Sequence, residues 1–294
     1  MARPAGRRAE RHRARDVVSL DFQEEETKMK STQNTILITG GGSGIGRGLA
    51  EALHALGNQV LIAGRGSKNL DATTAANPGM KSLTVDMTDA GSIQSFAAQV
   101  IENYPQINVL INMAGVMRPE NLLAPEDGIP DAEATIATNL LGPMRLTAAL
   151  LSTLQKQNHA TIMNVTSGLA FLPLALTPTY CATKAAIHSY TQSLRYQLQG
   201  TSVEVLELIP PYVATTLMGE HQAHDPNAMP LNEYIAEVME ILKAEPTPAE
   251  ICVKRALPLR FAAEGGQAKY DEFLHAFNDS ARSRPGLASV TGAK

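Results

Sequence analysis

Between residues 35 and 208, short and wholly apolar runs alternate with longer stretches whose apolar positions recur at helical spacing. Residues 35–39 predict a buried strand, and 44–56 a helix. Strands at 59–63 and 83–85 come next, then a helix over 90–103 and a fourth strand at 108–111. A long helix is expected over 132–154, a fifth strand at 160–165, a helix over 180–198 and a sixth strand at 203–208. Strands that are apolar on both sides are buried on both faces, which is the mark of a parallel sheet covered by helices. Right-handed crossovers then produce an α/β, doubly wound parallel sheet. No linker composition interrupts this alternation, so it reads as one domain.

After Pro210 the pattern weakens. Residues 211–230 are rich in Pro, His and Met and predict a loop or lid over a substrate region. An amphipathic helix is expected over 231–244. Thr247 with Glu250 three residues on reads as a helix start, and another helix is expected over 268–277. No seventh strand is expected. Residues 31–280 therefore form the expected catalytic domain, with 211–280 as substrate loop and C-terminal helices and 281–294 as a flexible tail. Six arginines between Arg3 and Arg15, followed by Glu24 to Glu26, leave the first 30 residues too polar to bury a core. They are expected to be a disordered extension, with Met29 as the natural start.

Composition changes this picture little. The 294 residues are 44% hydrophobic and 18% charged, with a net charge of −4. That balance gives no general attraction to nucleic acid or to a membrane surface. Two cysteines far apart, Cys181 and Cys252, suggest neither disulfides nor a zinc site. They fit a reducing cytoplasm. His221 and His224 offer two ligands without a third, so no metal is expected.

Two constellations carry chemistry. The run Thr39, Gly40, Gly41, Gly42, Ser43, Gly44, Ile45, Gly46 joins the first strand to the first helix. Glycines there let the backbone turn and approach a pyrophosphate, which the free N–H groups of the helix start would hold. At the end of the second strand, where an NAD site places a carboxylate, stand Gly64 and Arg65. A guanidinium matches a phosphate fork, so NADP(H) is the expected cofactor, with Lys68 assisting. Tyr180 and Lys184, four apart, share a helix face. An ammonium beside a phenol favours phenolate and lowers its pKa from about 10 toward working pH, as a general acid/base requires.

These motifs resemble the short-chain dehydrogenase/reductase family, compact single-domain type, with a Rossmann-type fold. Thr39, Gly40, Gly44 and Gly46 match its glycine pattern, Asp86 its adenine-side Asp with Met87 following, and Asn112, Ala114 and Gly115 its Asn-Asn-Ala-Gly run. Met113 departs from that run. The resemblance implies a catalytic group of Asn139, Ser167, Tyr180 and Lys184. Tyr180 would exchange the proton with a carbonyl or alcohol oxygen, and Ser167 would hydrogen-bond that oxygen. Lys184 would lower the Tyr180 pKa and hold the cofactor ribose, and Asn139 would hold a relay water. Pro210 and Pro211 stand where the family has Pro-Gly, and Val213 and Thr215 would contact the nicotinamide carboxamide. Pro210-Pro211 with Val213 and Thr215, and the later Met229 and Pro230, are similar to the DltE-like branch.

The implied activity is hydride transfer between nicotinamide and a small-molecule carbonyl or alcohol by a homodimer or homotetramer. A nucleotide-binding redox sensor or accessory protein without turnover is the alternative. Val116, Met117, residues 169–174 and residues 212–218 are the expected substrate walls, mainly aliphatic and without a placed cation.

Overall fold

The computed structural model describes residues 31–124 and 128–282. The expectations for residues 1–30 and for the tail beyond 282 lie outside the described residues. In chain order the elements are β1 (Thr35–Thr39), α1 (Gly44–Ala55), β2 (Gln59–Gly64), α2 (Ser67–Ala76), β3 (Lys81–Thr84), α3 (Ala90–Asn103) and β4 (Val109–Asn112). Next come α4 (Ile129–Ile136), a π-helical turn (Ala137–Leu141), α5 (Gly142–Leu154), β5 (Ala160–Val165), α6 (Pro178–Gln197) and β6 (Val203–Ile209). The last part contains α7 (Glu220–Ala223), α8 (Leu231–Leu242), β7 (Glu250–Cys252), α9 (Leu257–Arg260) and α10 (Gln267–Arg282).

All the strands are parallel, in the order β3-β2-β1-β4-β5-β6-β7. Side chains alternate across the pleat, so Ile36 and Ile38 enter one core while Leu37 enters the other. The first core gathers Leu49 and Leu53 of α1 with Tyr234 and Val238 of α8. The second gathers Phe96 and Val100 of α3 with Leu146 and Leu150 of α5. Each fully buried Leu or Ile contributes roughly 1.5–3 kcal/mol of transfer free energy. Together the two layers fix the sheet's carboxyl edge, where a doubly wound fold binds ligands.

The structure departs from the expected elements in three places. Glu250, Ile251 and Cys252 form a seventh strand rather than a helix start. Glu207 pairs with Glu250 in the ladder, and Arg260 grips the Glu250 carboxylate at 2.7 and 2.9 Å. Long-range pairing therefore overrides the local Thr-x-x-Glu signal. Helix α2 was not expected, because only Leu70 and Thr73 of its ten residues are buried and they leave hardly any periodicity to read. The helix expected over 132–154 runs on from Ile129 and carries a π-helical turn at Ala137–Leu141, around Asn139. The stretch 211–230 is tied at its base, since Val213 bridges Met229 and Ala214 N donates to Met229 O at 2.8 Å.

Candidate active site

The carboxyl ends of β1, β4, β5 and β6 open onto a cavity of about 520 Å³. Its floor on one side is the turn from β1 into α1, where Gly40 (φ +70°) and Gly44 (φ +50°) adopt the left-handed backbone that glycine tolerates. Ser43 precedes α1 in extended conformation and its side chain makes no capping bond. The first-turn N–H groups of α1 are thus left for a ligand. The Thr39 hydroxyl accepts from Met113 N and Ala114 N at 3.1 and 3.0 Å, which locks the end of β4 against the glycine turn.

A second cavity of about 280 Å³ continues past Ser43 to Arg65, Asp86 and Met87. The backbone N–H and hydroxyl of Thr88 both donate to Asp86, at 2.9 and 2.8 Å. These bonds, the backbone one first, hold its carboxyl below the ordinary range, aided by the Arg65 charge. Asn69, which the sequence reading did not single out, lines this cavity too. Arg47, on α1, pairs with Glu51 one turn away at 2.7 Å. The uncapped helix start and the glycine turn fit the pyrophosphate of a nicotinamide dinucleotide. Gly40, Ser43, Gly44, Ile45, Gly46, Ala114, Gly115, Pro210, Val213 and Thr215 line the first cavity, and Gly40, Ser43, Ala114 and Gly115 line both.

Asn112 lies elsewhere. Its carboxamide donates to Thr147 Oγ1 at 3.1 Å and to Asn164 Oδ1 at 2.8 Å, in a buried ladder beneath the cavities. It braces β4 against β5 and α5 rather than lining either cavity, which corrects its expected place among cofactor contacts.

Tyr180, Lys184 and Ser167 meet on the far wall of the first cavity. Ser167 stands just after β5 and accepts from Leu169 N at 3.1 Å, so it caps the following turn. Its side chain also lies within hydrogen-bonding reach of the Tyr180 phenol. Thr166 turns its hydroxyl the other way, toward Glu207, as strand alternation requires. Lys184 Nζ donates to Val165 O at 2.7 Å and sits 5.6 Å from the centre of the Tyr180 ring.

The electrostatics differ from expectation. Burial pushes the Tyr180 phenol well above its ordinary range, opposed only in part by the Ser167 hydrogen bond. Burial outweighs the nearby Lys184 ammonium, which is turned to the Val165 carbonyl. Burial also lowers Lys184, from 10.5 to about 8. The charged form is thus disfavoured in the fold, at a cost present below pH 8 and relieved as pH rises from 8 toward 10.5. Lys184→Met should raise the Tm of the cofactor-free protein at pH 7, and the gain should shrink by pH 10. Melting curves at the two pH values test this, and a gain that grows with pH would contradict it.

Asn139, in the π-helical turn, donates to Val116 O and accepts from Val116 N, both at 2.8 Å, and donates to Thr183 Oγ1 at 3.3 Å. Its side chain pins the segment after β4 to α6, close to Gly115. Such π-turns leave a backbone carbonyl outside the regular helical bonding.

Gln222 was missed by sequence reading, since nothing in a polar loop distinguishes it. It is buried, donates to Val213 O and Thr215 Oγ1 at 2.8 and 3.2 Å, and accepts from Met218 N at 2.9 Å. The substrate walls also need revision. Val116, Met117, Leu217 and Met218 line the cavity, but residues 169–174 and Tyr212 do not. Leu172 is core, Leu174 faces a separate groove, and Tyr212 bonds Asp225. Arg118 does reach the cavity wall, although no cation was expected there, and pairs with Asp131 at 2.7 Å. Cys181 is buried and receives Leu174 N, away from the cavity.

His188, Glu207 and Glu250 are close enough to share a cation, yet each already has a partner within the protein. The expected histidine pair gains no third ligand among the described residues. His224 Nδ1 bonds Glu220 O.

Residues 34–226 match the short chain dehydrogenase family. The chain is 38% identical over 253 residues to an uncharacterized oxidoreductase, DltE, of Bacillus subtilis (strain 168), covering 85% of this chain and 98% of that protein. Among solved structures, a short-chain dehydrogenase from Streptomyces avermitilis aligns with a TM-score of 0.71 at 25% identity, covering 85% of this chain and 99% of that one. One from Burkholderia cenocepacia J2315, in complex with NADP, also aligns at 0.71 with 24% identity and the same coverage. A Burkholderia phymatum relative in complex with NAD aligns at 0.69 with 21% identity, over 79% and 93% of the chains.

Proposed function

Because the chain belongs to the short-chain dehydrogenase family, we propose that it is an NADP(H)-dependent oxidoreductase acting on a small carbonyl or alcohol. The observation that carries this is the meeting of the Tyr180 phenol, the Ser167 hydroxyl and the Lys184 ammonium on one wall of the cavity that begins at the glycine turn. The nicotinamide, when bound, supplies or accepts the hydride. In reduction Tyr180 gives its proton to the carbonyl oxygen, and Ser167 donates to the same oxygen as negative charge develops. Lys184 holds the ribose and adds positive charge beside the phenol. Asn139 keeps the segment after β4 in place and orders the relay behind Lys184.

The pH behaviour follows from the two titrations. Burial keeps Tyr180 protonated at neutral pH, the form reduction uses, while oxidation needs the phenolate. Reductive kcat/KM should stay level below pH 8 and fall above it as Lys184 loses its proton. Oxidation should rise with pH over the same interval. Parallel profiles in the two directions would count against these roles.

Arg65 supports the choice of NADP(H) over NAD(H), since it stands in the second cavity where a 2′-phosphate would lie. Arg65→Ala should weaken NADPH binding roughly 10- to 100-fold, the worth of a charge-assisted bond. NADH binding should change little. Fluorescence titration with both nucleotides tests this, and equal losses would remove the assignment. Ile136, Leu141 and Tyr196 are exposed apolar residues on α4, the π-turn and α6. They support pairing of copies through this face as a homodimer or homotetramer, which sedimentation would detect. The two free cysteines fit a location in the reducing cytoplasm; no helix among the described residues is long and apolar enough to cross a membrane.

A further inference from the structure

Helix α6 meets the sheet through three polar side chains at i, i+4 and i+7, which share one helix face. Lys184 Nζ donates to Val165 O at 2.7 Å, His188 Nδ1 lies 2.9 Å from both carboxylate oxygens of Glu207, and Thr191 Oγ1 accepts from Asn164 Nδ2 at 3.0 Å. The middle contact does more than dock the helix. Glu207 is fully buried on β6, and its Oε1 also accepts the Thr166 hydroxyl at 2.7 Å. Thr166 immediately precedes Ser167. A carboxylate only accepts, so Nδ1 of His188 carries the hydrogen. Charge-assisted bonds of this kind, out of water, are strong and geometrically demanding. One side chain therefore grips both the helix that carries Tyr180 and Lys184 and the strand end that carries Ser167. The outer side is closed as well. Phe171 meets the His188 ring edge-on with centroids 4.7 Å apart, and Arg260 stacks on Phe171 at 4.6 Å while holding Glu250.

We propose that Glu207, acting through His188 and Thr166, is a positioning residue that sets Ser167 against Tyr180. The inference rests on the reaction proposed above. Neither Glu207 nor His188 lines the two cofactor-side cavities, and Thr166, which lines the first, turns its hydroxyl away to Glu207, so the effect is on alignment and not on nucleotide contact. Without the Thr166 hydroxyl the strand end keeps its backbone bonds to Leu208 O and Pro210 O but loses the side-chain tie to Glu207, which should shift Ser167 relative to the oxygen that Tyr180 serves.

The test compares Thr166→Val, which keeps shape and removes the hydroxyl, with Thr166→Ser, which keeps the hydroxyl, and with Glu207→Gln. Turnover is measured with saturating NADPH over a panel of aliphatic and aromatic aldehydes and methyl ketones. Thr166→Val and Glu207→Gln should each lower kcat roughly 10- to 100-fold, as a displacement near 1 Å does, with NADPH Kd held within about threefold. Thr166→Ser should restore most of the rate, and the double variant should be no slower than the slower single, since both break one linkage. Hydrogen exchange gives a readout that needs no turnover. Amides 167–171 should exchange faster in Thr166→Val, while those of 40–46 stay as in the parent. Unchanged kcat with unchanged exchange would overturn the proposal, as would equal losses in Thr166→Ser and Thr166→Val. A parallel rise in NADPH Kd would also overturn it by showing general loosening. A parent protein that turns over nothing in the panel counts against the reaction instead, and the exchange comparison then decides the positioning role alone.

Discussion

Tyr180→Phe should abolish measurable reduction while the protein continues to bind NADPH. The phenol stands on the cavity wall beside the Ser167 hydroxyl, placed to give its proton to the substrate oxygen. Its burial keeps it protonated, and the Ser167 hydroxyl beside it must find a donor elsewhere to pass one on. A positioned general acid is worth roughly 10²–10⁴ in rate, so kcat should fall by that factor. The phenyl ring retains the packing of Tyr180 against Leu174, Leu176 and Met218, so the fold should survive. Binding should survive too, because the glycine turn and Arg65 lie at the other end of the cleft. Stopped-time assays over the carbonyl panel, with NADPH fluorescence as the binding control, give the answer. A phenylalanine variant with near-parental kcat would remove Tyr180 from the chemistry. A parent and variant that are equally inactive, yet bind NADPH tightly, would point to a nucleotide sensor.

Gly46→Ala should be the most damaging single methyl in the cofactor half. A Cβ at this position would lie 2.3 Å from Gly40 O and 2.9 Å from Gly40 C, and both are backbone atoms. Neither can swing aside as a side chain tip could, so β1 and α1 must separate. Overpacking of this sort costs about 1–3 kcal/mol, a Tm loss on the order of 3–10 °C for a domain of this size. The same separation moves the uncapped start of α1 away from the pyrophosphate, so NADPH affinity should drop at least tenfold, with the loss of one or more charge-assisted bonds. Gly66→Ala is the matched control for stability, since nothing lies within 4 Å of its added Cβ. Thermal melts and NADPH titrations on both variants settle it. Equal behaviour of the two would mean that the close approach at Gly46 is not what shapes the loop.

Much of this was legible beforehand because the signals were local. Six strands followed from mainly apolar runs, the glycine turn, Arg65 and the pair Tyr180 and Lys184 from short spacings, and Asp86 and Ser167 from the family resemblance. The DltE-like resemblance agrees with the 38% identity found over most of the chain. What escaped depends on partners distant in sequence. Strand β7 exists because Glu207 and Arg260 hold Glu250. Asn112 turns into the sheet because Thr147 and Asn164 receive it. Gln222 matters only once Val213, Thr215 and Met218 surround it. The Tyr180 titration also reversed direction: four-residue spacing brings the ammonium near the ring, but burial decides the sign.

The bridge between Val213 and Met229 has an evolutionary corollary. Because the two ends of the intervening stretch are clasped together, its contour is a closed ring hung on the rim of the sheet. Residues within such a ring can be exchanged, lengthened or shortened without altering the spacing of β6 from its neighbours. Leu217 and Met218 sit on that ring and face the cavity. New substrate preferences can therefore arise by swapping residues of one cassette, with Met218 kept as the neighbour that packs against Tyr180 on α6.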